Sequence, residues 1–173
     1  MIRVVVDDIA FVTADAVLRP ATSTLEPTTA ALRRLEQVGG PAFWSQLKVR
    51  QELAVGAAVV TGGGDLASQL VIHAIIMSAS EPVSSGGVRR ALTSALQRAA
   101  DWEIATLVCP IVGVGAGGLD TGEAAAILCD VLRAHLTGAG AGADFPRDVC
   151  IVVERDEERE MVEALLRGRA EPE

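Results

Sequence analysis

The sequence predicts a three-layer α/β/α sandwich with a mixed, mostly parallel central sheet, formed by a single domain over residues 1–168 with a frayed tail at 169–173. Three observations predict it. Apolar runs of strand length alternate with longer stretches of helical period, the order expected when helices cover both faces of a sheet. Two of the runs, Leu70–Ile76 and Ile104–Val112, are apolar almost throughout, as in strands buried on both sides. Finally, 173 residues of which 50% are hydrophobic suit one core rather than two.

The elements follow in order. Ile2–Val6 is β-branched and apolar, stops at Asp7-Asp8, and is followed by a second strand over Ala14–Ala21. Pro27 opens a helix whose apolar residues Ala30, Ala31, Leu32, Leu35 and Val38 keep helical spacing, and Gly39-Gly40-Pro41 is its stop signal. A second helical piece is expected over Phe43–Leu53. Strands over Ala57–Thr61 and Leu70–Ile76 come next, separated by the Gly62–Asp65 turn. After a loop containing Pro82, Ser84-Ser85 and Gly86-Gly87, Val88, Leu92, Ala95, Leu96 and Ala99 repeat with helical period up to Asp101. Ile104–Val112 then leads through Gly113–Gly118 into a helix over Thr121–Leu136. Gly138–Ala143 is expected to be the most mobile internal segment, before a last strand at Val149–Val153 and a charged helix at Arg155–Leu166.

Composition narrows the function classes. A net charge of −8 and a pI near 4.8 repel a polyanion, so no nucleic-acid partner is expected. A small anion is different, because a few backbone amides and a helix N-terminus can hold it against a distant, screened charge. No apolar run approaches the roughly 20 residues that span a bilayer, and the first residues turn acidic too soon for a signal peptide. No membrane partner and a cytoplasmic location are therefore expected. Cys109, Cys129 and Cys150 have neither metal-ligand nor redox spacing and read as small buried hydrophobes. No metal or cofactor is implied. Lys48 is the only lysine and tyrosine is absent, which removes two common catalytic groups from most of the chain.

The segment Ile111-Val112-Gly113-Val114-Gly115-Ala116-Gly117-Gly118-Leu119 carries the most chemistry. It joins a strand to a helix at the carboxyl edge of the sheet, where open α/β folds bind ligands. Glycines allow positive φ and turn successive N–H groups into a concave anion nest with no side chain in the way. Phosphate or diphosphate is the natural guest, and a tight packing turn is the plainer alternative. Gly113, Gly115 and Gly118 also fit GxGxxG, but the acidic residue a dinucleotide site needs about 20 residues later is missing.

Val6-Asp7-Asp8-Ile9, Asp15–Leu18, Gly56–Thr61, Val71-Ile72-His73 and Pro110–Leu119 together resemble the macrodomain family in order and spacing. The resemblance implies an ADP-ribose-like ligand, with Asp8 accepting from the adenine amino group beside the Ile9 backbone, and Gly113, Val114, Gly115, Ala116, Gly117 and Gly118 around the diphosphate and distal ribose. Thr22 stands where the family has the second asparagine of Asn-Ala-Ala-Asn, since this chain reads Arg19-Pro20-Ala21-Thr22. Leu25–Thr29 replaces the first glycine loop, and Val153-Glu154 stands where an aromatic residue often stacks on adenine. These departures imply binding without catalysis, with an ADP-ribosyl or O-acetyl-ADP-ribose hydrolase as one alternative and a ligand-free scaffold as another. A homo-oligomer is left open.

Other candidates have plainer readings. Only one of Asp7 and Asp8 is expected to face a pocket, since strand side chains alternate. His73, inside an apolar strand, reads as a satisfied core histidine, and His135 as a charge at a helix C-terminus. Asp120 and Glu123 read as helix caps, the run Glu154–Glu160 as a solvated helix face, and Trp44 and Trp102 as covers of the core or an interface.

Overall fold

The structure, a computed structural model, describes residues 1–138 and 144–168. The Gly138–Ala143 linker, apart from Gly138 itself, and the 169–173 tail lie outside the described residues. The elements are β1 (Ile2–Val6), a 3-10 turn (Ile9–Phe11), β2 (Ala16–Thr22), α1 (Ala30–Trp44), β3 (Ala58–Gly62), β4 (Leu70–Met77), α2 (Ser85–Asp101), β5 (Thr106–Cys109), α3 (Thr121–Thr137), β6 (Asp148–Val153) and α4 (Asp156–Arg167). One six-stranded sheet runs β1-β6-β5-β2-β4-β3. Every neighbouring pair is parallel except β3 with β4.

Burial on both faces explains the apolar runs. In β2, Ala16 and Leu18 join the core beneath α2, α3 and α4, while Val17 points to the opposite core with Leu35 and Phe43 of α1. β4 divides in the same way, with Ile72, Ala74 and Ile76 on the first face and Val71 and Ile75 on the other. The expected sandwich of helices on both sides of a mixed sheet is the fold found.

Two expectations about the helices are corrected. Gly39-Gly40-Pro41 does not stop α1 but kinks it: Gly40 takes φ 72°, Pro41 restarts the turn, and the helix ends at Trp44. The kink frees the Gly39 carbonyl, which accepts from the Asp65 amide at 2.9 Å. Of the helix expected over Phe43–Leu53, only Phe43 and Trp44 are helical, as the end of α1. Leu47, Val49 and Leu53 instead pack against the small cluster of Ala21, Leu25 and Ile75, and the Leu53 amide donates to the Ser23 carbonyl at 2.9 Å. Tertiary contacts override helix-forming side chains there. α2 begins earlier than its periodicity suggests, because the Ser84 hydroxyl accepts from the Gly87 amide at 3.0 Å and caps it.

The strand expected over Ile104–Val112 is only four residues long, and this opens the site. Pro110 has no N–H to offer, and β5 stops just before it. β2 pairs with β5 only at Ala16 and Val17, so Pro20, further along β2, needs no donor on that side. The two neighbouring strands part at these prolines, and a cleft forms between them.

Candidate functional site

The cleft is lined by the end of β1 and the turn after it (Asp7, Ile9), by Pro20, by the start of α1 (Thr28–Leu32, Arg34), by the segment after β5 (Pro110, Ile111, Gly113, Val114), and by Val152 and Glu154. It lies at the carboxyl ends of parallel strands, where ligands of open α/β sheets bind.

Of the glycine loop, Gly113 and Val114 line the cleft, while Gly115, Ala116, Gly117 and Gly118 stand beyond its lining. Gly113, Gly115 and Gly117 have φ of 101°, 120° and 73°, values that side-chain-bearing residues rarely adopt. The loop is closed by Leu119 N donating to Gly113 O at 2.8 Å and Gly118 N to Gly115 O at 3.0 Å. Among the described residues, the amides of Gly113 to Gly117 meet no acceptor. Gly115, Ala116 and Gly117 are exposed, so these donors can meet solvent or a guest. The glycines have different reasons to be there. A Cβ on Gly115 would sit 2.9 Å from the Thr28 carbonyl oxygen, whereas one on Gly117 would meet nothing within 4 Å. Behind the loop, Asp120 caps α3 by accepting from the Glu123 amide at 3.2 Å, as expected.

The opposite wall is built by side chains. Arg19, fully buried, donates from Nη2 to the Leu25 carbonyl at 2.8 Å and to Glu36 at 3.2 Å, and from Nη1 to His73 Nδ1 at 3.1 Å. Since a guanidinium only donates, His73 Nδ1 accepts, and its Nε2–H donates to the Thr61 hydroxyl at 2.8 Å. Burial, with Arg19 adding to it, holds the His73 pKa down to about 3 and keeps the ring neutral. Phe43 stacks on His73, 6.0 Å between centroids, and lies under the Arg19 guanidinium at 5.9 Å. This network anchors a turn in which Leu25 takes φ 62°, a conformation most side chains avoid. Thr22 belongs to the same turn: its hydroxyl accepts from the Glu26 amide at 3.1 Å, and it does not line the cleft.

The paired carboxylates are divided. Asp7 and Ile9 line the cleft. Asp8 stands beside it with both oxygens engaged, Oδ1 with the Ala10 amide at 3.0 Å and Oδ2 with Arg34 Nε at 2.8 Å. Sequence reasoning missed Arg19 and Arg34. The signal for Arg19 was available: one arginine in an apolar strand and one histidine in another are each hard to bury alone.

Several other candidates lie away from the cleft. Trp44 lies in a separate depression with Glu26, Pro27 and Arg33, its indole N–H on the Glu36 carbonyl at 2.6 Å. Cys109, Cys129 and Cys150 are buried thiols in no disulfide, and burial pushes the Cys109 thiol far up. His135 Nε2 is 2.7 Å from the Phe145 carbonyl, and α4 carries the pairs Arg155–Glu158 and Arg159–Asp156 on its surface. Among the described residues no cluster of His, Cys, Asp and Glu is placed to hold a metal, and no helix is long and apolar enough to cross a membrane.

Comparison with known proteins agrees with the geometry. The Macro domain family model matches residues 20–128, and the chain belongs to that family. An uncharacterized protein of Aeropyrum pernix is 29% identical over 163 residues, covering 91% of this chain and 80% of its own. The O-acetyl-ADP-ribose deacetylase of Enterobacter sp. strain 638 is 29% identical over 171 residues, covering 95% and 93%. A longer Mycobacterium tuberculosis relative is 26% identical, and the match spans 37% of its length. Among solved structures, the Oceanobacillus iheyensis macrodomain with ADP superimposes with a TM-score of 0.79 at 18% identity, covering 95% of this chain and 89% of that one. A variant of the same macrodomain has been solved with ADPR.

Proposed function

We propose that this chain binds ADP-ribose, or a related phosphorylated nucleotide metabolite, in the cleft between β2 and β5, and that it does so without hydrolysing it. The observation that carries the proposal is the glycine loop after β5, in which Gly113 and Val114 line the cleft and the amides of Gly113 to Gly117 meet no acceptor among the described residues. In this reading those amides receive the diphosphate, and the base lies toward Asp7, Asp8 and Ile9. The macrodomain solved with ADP supports the ligand class.

Hydrolysis is the second reading, favoured by the Enterobacter relative named as a deacetylase. Against it stands the wall where the distal ribose would rest. Thr22 is committed to its own turn, and residues 27–29 read Pro-Thr-Thr rather than glycine, so backbone approach is restricted. Calorimetric titration with ADP-ribose, ADP and inorganic phosphate tests the binding proposal. Saturable binding of the two nucleotides, with phosphate much weaker, is expected; no heat from either nucleotide overturns it. Turnover of O-acetyl-ADP-ribose above the buffer rate would favour the second reading.

A further inference from the structure

We infer that the hydroxyl of Thr28 is a ligand contact: it donates to a phosphate oxygen of the bound nucleotide, and with the first amides of α1 it faces the glycine loop across the cleft. The inference rests on the proposed nucleotide site and names a side chain, rather than backbone, that recognises the phosphate.

The hydroxyl is out of place as a structural group. Among the described residues, the buried side-chain polar atoms without a hydrogen-bond partner are Arg19 Nε, Arg98 Nε and Thr28 Oγ1, and of these three residues only Thr28 lines the cleft. A buried hydroxyl left unpaired destabilises a fold, and valine fills the same shape without that cost. A threonine here is therefore explained by a partner that arrives from the cleft.

Its surroundings say what kind of partner. Thr29 caps α1 by accepting from the Leu32 amide at 3.3 Å, while the amides of Ala30 and Ala31, both residues of the cleft lining, meet no acceptor among the described residues. The first turn of this 15-residue helix carries no acidic side chain, so its positive end is left for an anion. Across the cleft, the amides of Gly113 and Val114 also lack acceptors. An oxyanion between the walls thus has donors on both sides, and a hydroxyl adds a charge-assisted bond. Backbone is a poor substitute at this place, because Pro27 has no N–H and the two β-branched threonines hinder close approach. Oγ1 is covered, so a phosphate oxygen reaches it by a small parting of Thr28 from the loop. The seam is where the Thr28 carbonyl lies against Gly115, so close that a Cβ on that glycine would sit 2.9 Å from it.

The test compares Thr28→Val, which keeps the shape and removes the donor, with Thr28→Ser, which keeps the donor. Thr28→Ala serves as a second donor-free variant that leaves more room. Affinities for ADP-ribose, ADP and adenosine are measured by calorimetry, with a thermal melt of each protein. Thr28→Val should melt no lower than wild type, yet weaken ADP-ribose and ADP by about 10- to 100-fold and leave adenosine within twofold. Thr28→Ala should show the same selective loss, and Thr28→Ser should stay within about threefold of wild type for every ligand. Nucleotide affinity within twofold of wild type in both donor-free variants would overturn the inference. So would a loss shared equally by adenosine, which would make residue 28 a packing contact, or an equal loss in Thr28→Ser, which would assign the effect to the methyl group. A marked fall in the melting temperature of Thr28→Val would show that the hydroxyl serves the fold, and would overturn it too. Failure of wild type to bind either nucleotide would overturn the proposed function instead.

Discussion

The two walls of the cleft solve the same problem with opposite materials. The wall after β5 is backbone: three positive-φ glycines, two internal hydrogen bonds and a row of amides left for a guest. The wall after β2 is held by side chains: Arg19 on the Leu25 carbonyl, Thr22 on the Glu26 amide, and His73, Glu36 and Phe43 behind them. The first keeps a run of backbone amides available, whereas the second commits Arg19 and Thr22 to its own turn and leaves the Thr28 hydroxyl, which lines the cleft, without a partner among the described residues. A wall of the second kind shapes the cleft mainly by packing, and it offers a guest a side-chain hydroxyl where the first offers backbone amides.

The largest expected effect tests whether the second wall depends on its buried cation. Arg19→Met should destabilise the protein by about 3 to 5 kcal/mol, because it leaves His73 Nδ1 and the Leu25 carbonyl without their donor and removes the partner of Glu36. Denaturant titration measures it. A loss below about 1 kcal/mol would mean that the network is dispensable and that the turn holds itself. Part of the offset is already visible, since Arg19 Nε is buried without a partner.

The same wall should be the acid-sensitive one. His73 is neutral when folded, with its pKa held down to about 3, whereas in the unfolded chain it returns to about 6.5. Between those values the unfolded state binds the extra proton, so this contribution is complete above pH 6.5 and is lost as pH falls toward 3. At pH 5 the loss should amount to about 2 kcal/mol. Comparing the pH slopes of wild type and His73→Gln isolates it from the carboxylates: the variant should be less stable overall but flatter between pH 6.5 and 4. Parallel slopes would show that His73 does not carry the term.

On the backbone wall, the comparison sharpens between two glycines. Gly115→Ala places a Cβ against the Thr28 carbonyl oxygen at 2.9 Å and forces φ 120° on alanine, so the walls must move apart. Binding of ADP-ribose should fall by at least about tenfold, or about 1.4 kcal/mol. Gly117→Ala meets nothing and sits near the left-handed region, so it should cost about 1 kcal/mol of stability and less than about threefold in affinity. Equal effects at both positions would mean that strain, rather than approach to Thr28, governs the loop.

The two walls were not equally legible in the sequence. A strand, a cluster of glycines and a helix start are contiguous, so Gly113–Gly118 could be read from local pattern alone. Arg19 meets His73, Glu36 and Leu25 across sequence separations of 54, 17 and 6 residues, and Arg34 meets Asp8 across 26. Such pairs exist only once the sheet order is known. The strands were readable because burial on both faces leaves an apolar run. Residues 45–53 were misread because helix-forming side chains there are outvoted by contacts to β2 and β4, which no local window contains.

The smallest expected effect comes at Thr22, where resemblance suggests the largest. If the second wall merely lacked one amide, Thr22→Asn would restore it, and both ribose contact and turnover should rise. The geometry argues otherwise. The Thr22 side chain does not line the cleft; its hydroxyl closes the turn to Glu26, and its own amide donates to the Glu26 carbonyl at 3.0 Å. An asparagine there can make the same local bonds, since its side-chain oxygen accepts from amides a few residues ahead. Reaching the cleft would require giving up that turn, with Arg19 still pinning Leu25 and with Pro27-Thr28-Thr29 still closing the backbone off from a guest. Loosely placed groups forfeit orders of magnitude in rate, so partial restoration of one contact should not restore chemistry. Thr22→Asn should therefore change ADP-ribose affinity by less than about twofold and leave O-acetyl-ADP-ribose turnover at the buffer rate. The check is calorimetry beside a product assay on both proteins. Turnover that appears only in the variant would show that the wall is one residue short of a catalytic one, rather than rebuilt for another purpose.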